Sequence, residues 1–105
     1  QVASWPDSVH AYIGLGYVRQ AKGDSAGAEA NYRAAIRRDP AQEEGFLRLF
    51  QLLASRERWD EAKAVLVDWS NAHPENADVR SELSQFDQVV ESRKKVGTAI
   101  PKDQN

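Results

Sequence analysis

Apolar positions along this chain recur on a single long period. Pro6, Pro40 and Pro74 are 34 residues apart, and so are Leu15, Leu49 and Leu83. Tyr12 and Phe46, Ala28 and Ala62, Tyr32 and Leu66, and Ala35 and Trp69 share that spacing. Agreement among proline, aliphatic, small and aromatic positions on one period is the signature of stacked structural units. Each period divides into two amphipathic stretches. In the first, Tyr12, Leu15, Gly16 and Val18 precede a break at Gly23-Asp24. Ala28, Tyr32, Ala35 and Ile36 follow at i, i+4, i+7, i+8, which is one face of a helix. The second period repeats this with Phe46, Leu49, Phe50 and Leu53, then Ala62, Val65, Leu66 and Trp69. A third begins near Ala77, with Val79, Leu83, Phe86 and Val90 on one helical face.

The punctuation agrees with the periodicity. Gly23 suits the left-handed residue that ends a helix, and Asp24 suits the cap of the next one. Arg37-Arg38 place cations at a helix C-terminus. Asp39-Pro40 and His73-Pro74 then stop their helices, because the residue before proline avoids helical geometry. The turn Arg56-Glu57-Arg58 has no glycine where the first period has Gly23, which predicts either a slightly strained turn or one of different geometry. In the third period Val96 and Ile100 stand at helical positions, but Gly97 and Pro101 predict that no partner helix forms. The expected organisation is all-α. A lead-in covers 1–7, two helix hairpins cover 8–40 and 41–74, a capping helix or partial repeat covers 75–96, and a polar, mobile tail covers 97–105.

The residues Tyr12, Leu15, Gly16, Gly23, Asp24, Ala28, Tyr32, Ala35 and Pro40 resemble the tetratricopeptide repeat. The second period keeps Phe46, Leu49, Ala62 and Pro74, but carries Phe50, Glu57 and Trp69 where that pattern has a small residue, a glycine and an alanine. The third retains Leu83, so the resemblance covers roughly residues 8 to 90. It implies a right-handed superhelical stack of antiparallel hairpins, in which Gly16 and Ala28 allow close approach and Ala35 leaves room for the next repeat. It also implies a protein-binding scaffold whose first helices line a concave groove. Carried onto this chain, the groove positions are Ile13, Tyr17, Gln20, Leu47, Arg48, Gln51 and Gln85. Tyr17 and Arg48 are of the types that anchor interfaces. Ile13 and Leu47 serve either as an apolar floor or as packing against a neighbouring repeat. Some relatives clamp a peptide's terminal carboxylate with a cationic cluster; here Asp78 and Glu82 oppose that use and Arg48 alone favours it. Pro6 stands where a preceding repeat would close and the chain opens on Gln1, so it reads as part of a longer array. Bacterial members commonly serve envelope assembly, including exopolysaccharide export, which implies a bacterial periplasm or cytoplasm.

Composition narrows the remaining options. Apolar residues make up 41% and charged residues 29%, ordinary for a soluble fold, and a formal net charge of −2 gives no nucleic-acid footprint. No apolar run is long enough to insert in a bilayer. The absence of cysteine excludes disulfides and thiolate chemistry. His10 and His73 are far apart in the chain, Glu43 and Glu44 point in different directions on a helix, and Gly14-Leu15-Gly16 lies inside a helix and not in a phosphate loop. No metal-ligand spacing is apparent, and Arg93-Lys94-Lys95 reads as a helix C-terminal cation group. A non-catalytic module without cofactor or metal is therefore expected. Two alternatives stay open: an architectural spacer that dimerises through an apolar face at Phe86 and Val90, or an accessory domain of a larger enzyme. If the register is right, Ala28→Glu buries an unpaired charge at the helix contact and costs about 4 kcal/mol or more. Thermal melting followed by circular dichroism checks this, and a variant that melts like the parent contradicts the register.

Overall fold

The computed structural model describes the backbone of residues 9–103 and the side chains of 9–93. Five helices follow one another: α1 (Val9–Ala21), α2 (Ser25–Arg38), α3 (Glu43–Ser55), α4 (Trp59–Ala72) and α5 (Ala77–Asp103). Each packs on the next, and α1 also touches α3. The architecture is two consecutive hairpins and a fifth helix. The Trp5-Pro6 lead-in and Gln104-Asn105 lie outside the described residues, as do the side chains of Lys94, Lys95, Val96 and Ile100.

Helix separation within the first hairpin is set by Gly16. A Cβ at this position would lie 2.6 Å from Tyr32 Cε1 and 2.9 Å from Cδ1. The fully buried Tyr32 ring therefore occupies the space a side chain on α1 would need. Ala28 and Ala35, also fully buried, let α2 approach its neighbours closely. In the second hairpin the sizes are exchanged: Phe50 stands for Gly16 and Leu66 for Tyr32. Phe50 packs edge-on to Phe86 of α5 at 6.1 Å between ring centroids, and Trp59 does so at 6.4 Å. Phe86 and Val90 are consequently buried. Their own side chains are therefore not the open apolar face expected for a second copy, although an open cleft beside them is lined by Phe50, Trp59 and the exposed Val89.

The first helix shows the converse. Leu49 and Leu52 on α3 are buried, and α3 is packed by α2 on one side and α4 on the other. Leu15 and Val18 occupy the same register 34 residues earlier, yet both are exposed. Among the described residues no helix lies against α1 in the way that α2 lies against α3. The expected break near the C-terminus also differs. α5 continues through Gly97 and Pro101 to Asp103 as one helix, in place of a cap ending near 96 and a mobile tail. Pro101 falls in the last turn, where it has no amide to donate to the Gly97 carbonyl.

The two hairpin turns share one geometry. The Asp24 amide donates to the Arg19 carbonyl (2.8 Å) and the Arg58 amide to the Leu53 carbonyl (3.0 Å). Both are six-residue closures that need a left-handed residue. Gly23 takes φ 88° without strain, whereas Glu57 is forced to φ 60°. Asp24 Oδ1 caps α2 by accepting from the Gly27 amide at 2.9 Å. Arg58, at the start of α4, makes no cap; it joins the hairpins instead. Its Nη1 donates to Glu29 Oε1 on α2 at 2.8 Å, and its Nε donates to Glu61 at 2.6 Å. Arg33 donates to the same Glu29 carboxylate. The Arg58 hydrogen bond holds the Glu29 carboxyl below its ordinary value despite opposing desolvation, and Arg33 assists.

Two outcomes follow from these contacts. Glu57→Gly relieves the left-handed strain and stabilises the fold by about 1 kcal/mol, a rise of about 4–8 °C in Tm by scanning calorimetry. A fall in Tm contradicts that account of the turn. Because the folded pKa of Glu29 is depressed, its contribution is fully present above the unfolded value of about 4.3 and is lost as pH falls through the lower folded value. Melting curves from pH 6 to about 2 therefore show a shallower acid decline for Arg58→Gln than for the parent; parallel curves contradict the link.

Candidate functional site

α1, α3 and α5 are the first helices of successive units, and the 34-residue register puts Tyr17, Gln51 and Gln85 at equivalent places on them. Tyr17 is 59% exposed. The Arg48 guanidinium lies over its ring, 5.6 Å from the centroid, so this pair bridges the first and second units. Glu44, one turn earlier on α3, accepts from Arg48 Nε at 3.2 Å and pairs with Nη2 at 3.1 Å. The guanidinium is thus held over the aromatic ring while paired with a carboxylate on its own helix. Leu47 beside it is 38% exposed, Gln51 is exposed, and Gln85 donates to Ser81 Oγ on α5.

Two of the expected groove residues have other places. Ile13 is buried in the apolar core, so it supplies no accessible floor. Its i, i+3 relation to Gly16 turns it toward the hairpin contact. Gln20 is half-buried and accepts a 2.8 Å hydrogen bond from the Tyr32 hydroxyl, satisfying a phenol that would otherwise be buried unpaired. Burial raises the Tyr32 pKa, so that hydroxyl remains a donor at neutral pH. The accessible set is therefore Tyr17, Leu47, Arg48, Gln51 and Gln85. A separate cleft of about 320 Å³ lies between α2, α3 and α4, with Ile36, Phe46, Leu49 and Val65 inside and Arg33, Arg37 and Asp68 among its lining residues.

A second polar cluster forms where the α2–α3 and α4–α5 connections meet. His73, the C-cap of α4, is nearly buried and lies edge-on to Phe46. Its Nε2 is 2.8 Å from the Pro40 carbonyl, and its Nδ1 is 3.1 Å from Glu75 Oε2 and 3.9 Å from Glu43 Oε2. Trp69 Nε1 and Asn76 Nδ2 each donate to Glu43 Oε1 at 2.6 Å. Trp69 also stacks on Phe46 with ring centroids 6.0 Å apart. Bonding to Pro40 and then Glu75 raises the His73 pKa, and the Trp69 and Asn76 donors lower that of Glu43. The Glu75 carboxyl is lowered by its own backbone amide and by His73. Ligand-capable atoms of Glu43, His73 and Glu75 all fall within 4.8 Å of one another. This corrects the sequence-based expectation that no such set converges. The available signal was the period itself: it places the loop after Pro40 beside the loop before Pro74, which brings Glu43 next to His73.

No helix among the described residues is long and apolar enough to cross a membrane. No curated protein matches the chain. The tetratricopeptide repeat pattern, by contrast, matches residues 19–85, well over half of the sequence. Repeats of this kind are generally non-catalytic modules that bind protein or peptide partners. The 34-residue period, the paired turns and the sequence match converge, and the chain belongs to the tetratricopeptide repeat family.

Proposed function

We propose that the α1–α3–α5 face binds an extended segment of a partner protein, anchored on the Tyr17–Arg48 pair. The observation that carries this reading is the exposed aromatic ring with a guanidinium from the next unit lying over it. An aromatic ring and an arginine held together lose little side-chain entropy on binding, which is what makes such residues effective anchors. Leu47 adds exposed apolar surface, and the Gln51 and Gln85 amides can donate to and accept from an extended backbone. Charge selects the segment. The same helices carry exposed Glu44, Asp78 and Glu82, and Arg48 is already paired with Glu44. A neutral or basic segment with an apolar side chain fits this face better than an acidic tail.

The exposed Leu15 and Val18 support a place in a longer array. Their counterparts Leu49 and Leu52 are buried where α2 precedes α3, so a preceding hairpin would bury α1 in the same way.

A peptide selected from a displayed library, titrated into isotope-labelled protein and followed by NMR, tests the binding face. Amide shifts concentrate on α1, α3 and α5, and Tyr17→Ala with Arg48→Ala weakens the complex about tenfold or more. Shifts centred on the cleft at Ile36, Val65 and Asp68, with affinity unchanged in the double variant, contradict the proposal.

A further inference from the structure

The cluster at Glu43, His73 and Glu75 is outside the proposed peptide face, and its geometry asks for a cation. The Pro40 carbonyl can only accept, so the His73 nitrogen 2.8 Å away must be Nε2–H. A neutral imidazole has one N–H. Its Nδ1 then carries a lone pair directed at two carboxylates, with Glu75 Oε2 at 3.1 Å and Glu43 Oε2 at 3.9 Å. Lone pairs on the three ligand atoms then face one another unless a cation lies between them, either a proton on Nδ1 donated to Glu75 or a metal ion.

We infer that Glu43, His73 and Glu75 form a site for a divalent zinc ion at the junction between the second hairpin and α5. The spacing fits the metal. Zinc bonds of about 2.0–2.1 Å at the tetrahedral angle separate ligand atoms by about 3.4 Å. The Nδ1–oxygen distances of 3.1 and 3.9 Å straddle that value, and the three ligand atoms all lie within 4.8 Å of one another. The surrounding bonds are those that orient metal ligands. A ligating histidine typically donates its other ring N–H to a backbone carbonyl, as Nε2 does here to Pro40, and ligating carboxylates are themselves hydrogen-bonded. Trp69 and Asn76 hold Glu43 by Oε1, leaving Oε2 for the ion. Glu75 is largely exposed, which gives an entry path and leaves the fourth position to water. One imidazole and two carboxylates balance the ion's charge.

The three ligands come from different elements. Glu43 begins α3, His73 ends α4, and Glu75 lies in the connection to α5. A bound ion locks the α4–α5 connection onto the second hairpin and fixes the direction in which α5 leaves it. Zinc thus controls the geometry of the stack without contacting its groove.

The test uses the whole chain, stripped with chelator and titrated with zinc chloride at neutral to mildly alkaline pH. At free zinc tenfold above the dissociation constant, Tm rises by about 5 °C or more, and magnesium leaves it unchanged. Long-range nitrogen–proton NMR of the imidazole shows Nδ1 shifting on zinc addition while Nε2 keeps its proton. Glu75→Gln, at an exposed position, and Glu43→Gln, which retains an acceptor for Trp69 and Asn76, each fold as the parent does and weaken zinc binding about tenfold or more. Two results overturn the inference. One is an Nδ1 that carries a proton at that pH with no response to zinc, which makes the bridging cation a proton alone. The other is a thermal shift that survives both variants at full size, which places zinc elsewhere.

Discussion

The distance between α1 and α2 depends on one size complement, a missing side chain at Gly16 filled by the ring of Tyr32. Packing at interior density leaves no room to adjust it, because a single added carbon meets the ring well inside van der Waals contact. The same ring reaches Gln20 through its hydroxyl, so apolar fit and polar satisfaction are set by one residue. The second hairpin keeps the antiparallel path while exchanging the sizes, and Phe50 then turns into a cluster with Phe86 and Trp59. The fifth helix docks where it does because the second hairpin has a large residue at the place where the first has none.

Charges act on this frame at the seams between units. Arg58 gathers Glu29 and Glu61 where the α3–α4 turn meets α2, and Lys63 reaches Asp87 of α5 at 3.0 Å. These exposed or half-exposed pairs set register more than they add stability. At the other loops the His73 cluster joins the α2–α3 connection to the α4–α5 connection through Pro40, Glu43 and Glu75. Fixed seams matter to the proposed binding face because the Tyr17–Arg48 pair spans two units. A shift of one hairpin against the other would separate the ring from its cation.

The sequence carried the hairpins well because their determinants are local and periodic. Gly23, Asp24, Pro40, Ala28 and Tyr32 each act within one repeat, and a residue 34 positions away repeats the message. Even the glycine-free turn was readable, since Glu57 replaces a residue whose backbone conformation is demanded by the closure around it. The α5 boundary was less so: Gly97 and Pro101 lower helix propensity, yet the helix continues through both to Asp103. Groove positions were legible in register but not in access. Tyr17 is exposed and Arg48 half-buried, whereas Ile13 turns into the core because the side it faces depends on helix rotation within the packed hairpin. The His73 cluster was legible only through the period, because Glu43 and His73 are distant in sequence and become neighbours only when the loops of successive units align.

The central claim is that the size complement at the first hairpin sets the frame, and a double-mutant cycle on positions 16 and 32 tests it directly. Gly16→Ala, Tyr32→Leu and the combined variant are compared with the parent by denaturant unfolding. The account predicts that Tyr32→Leu, which copies the residue at Leu66, costs at least about 1 kcal/mol less in the Gly16→Ala background than in the parent, because the smaller side chain vacates the space the new methyl needs. Strict additivity of the two changes would show that Gly16 and Tyr32 act independently, and the close approach would then not be what holds the hairpin together.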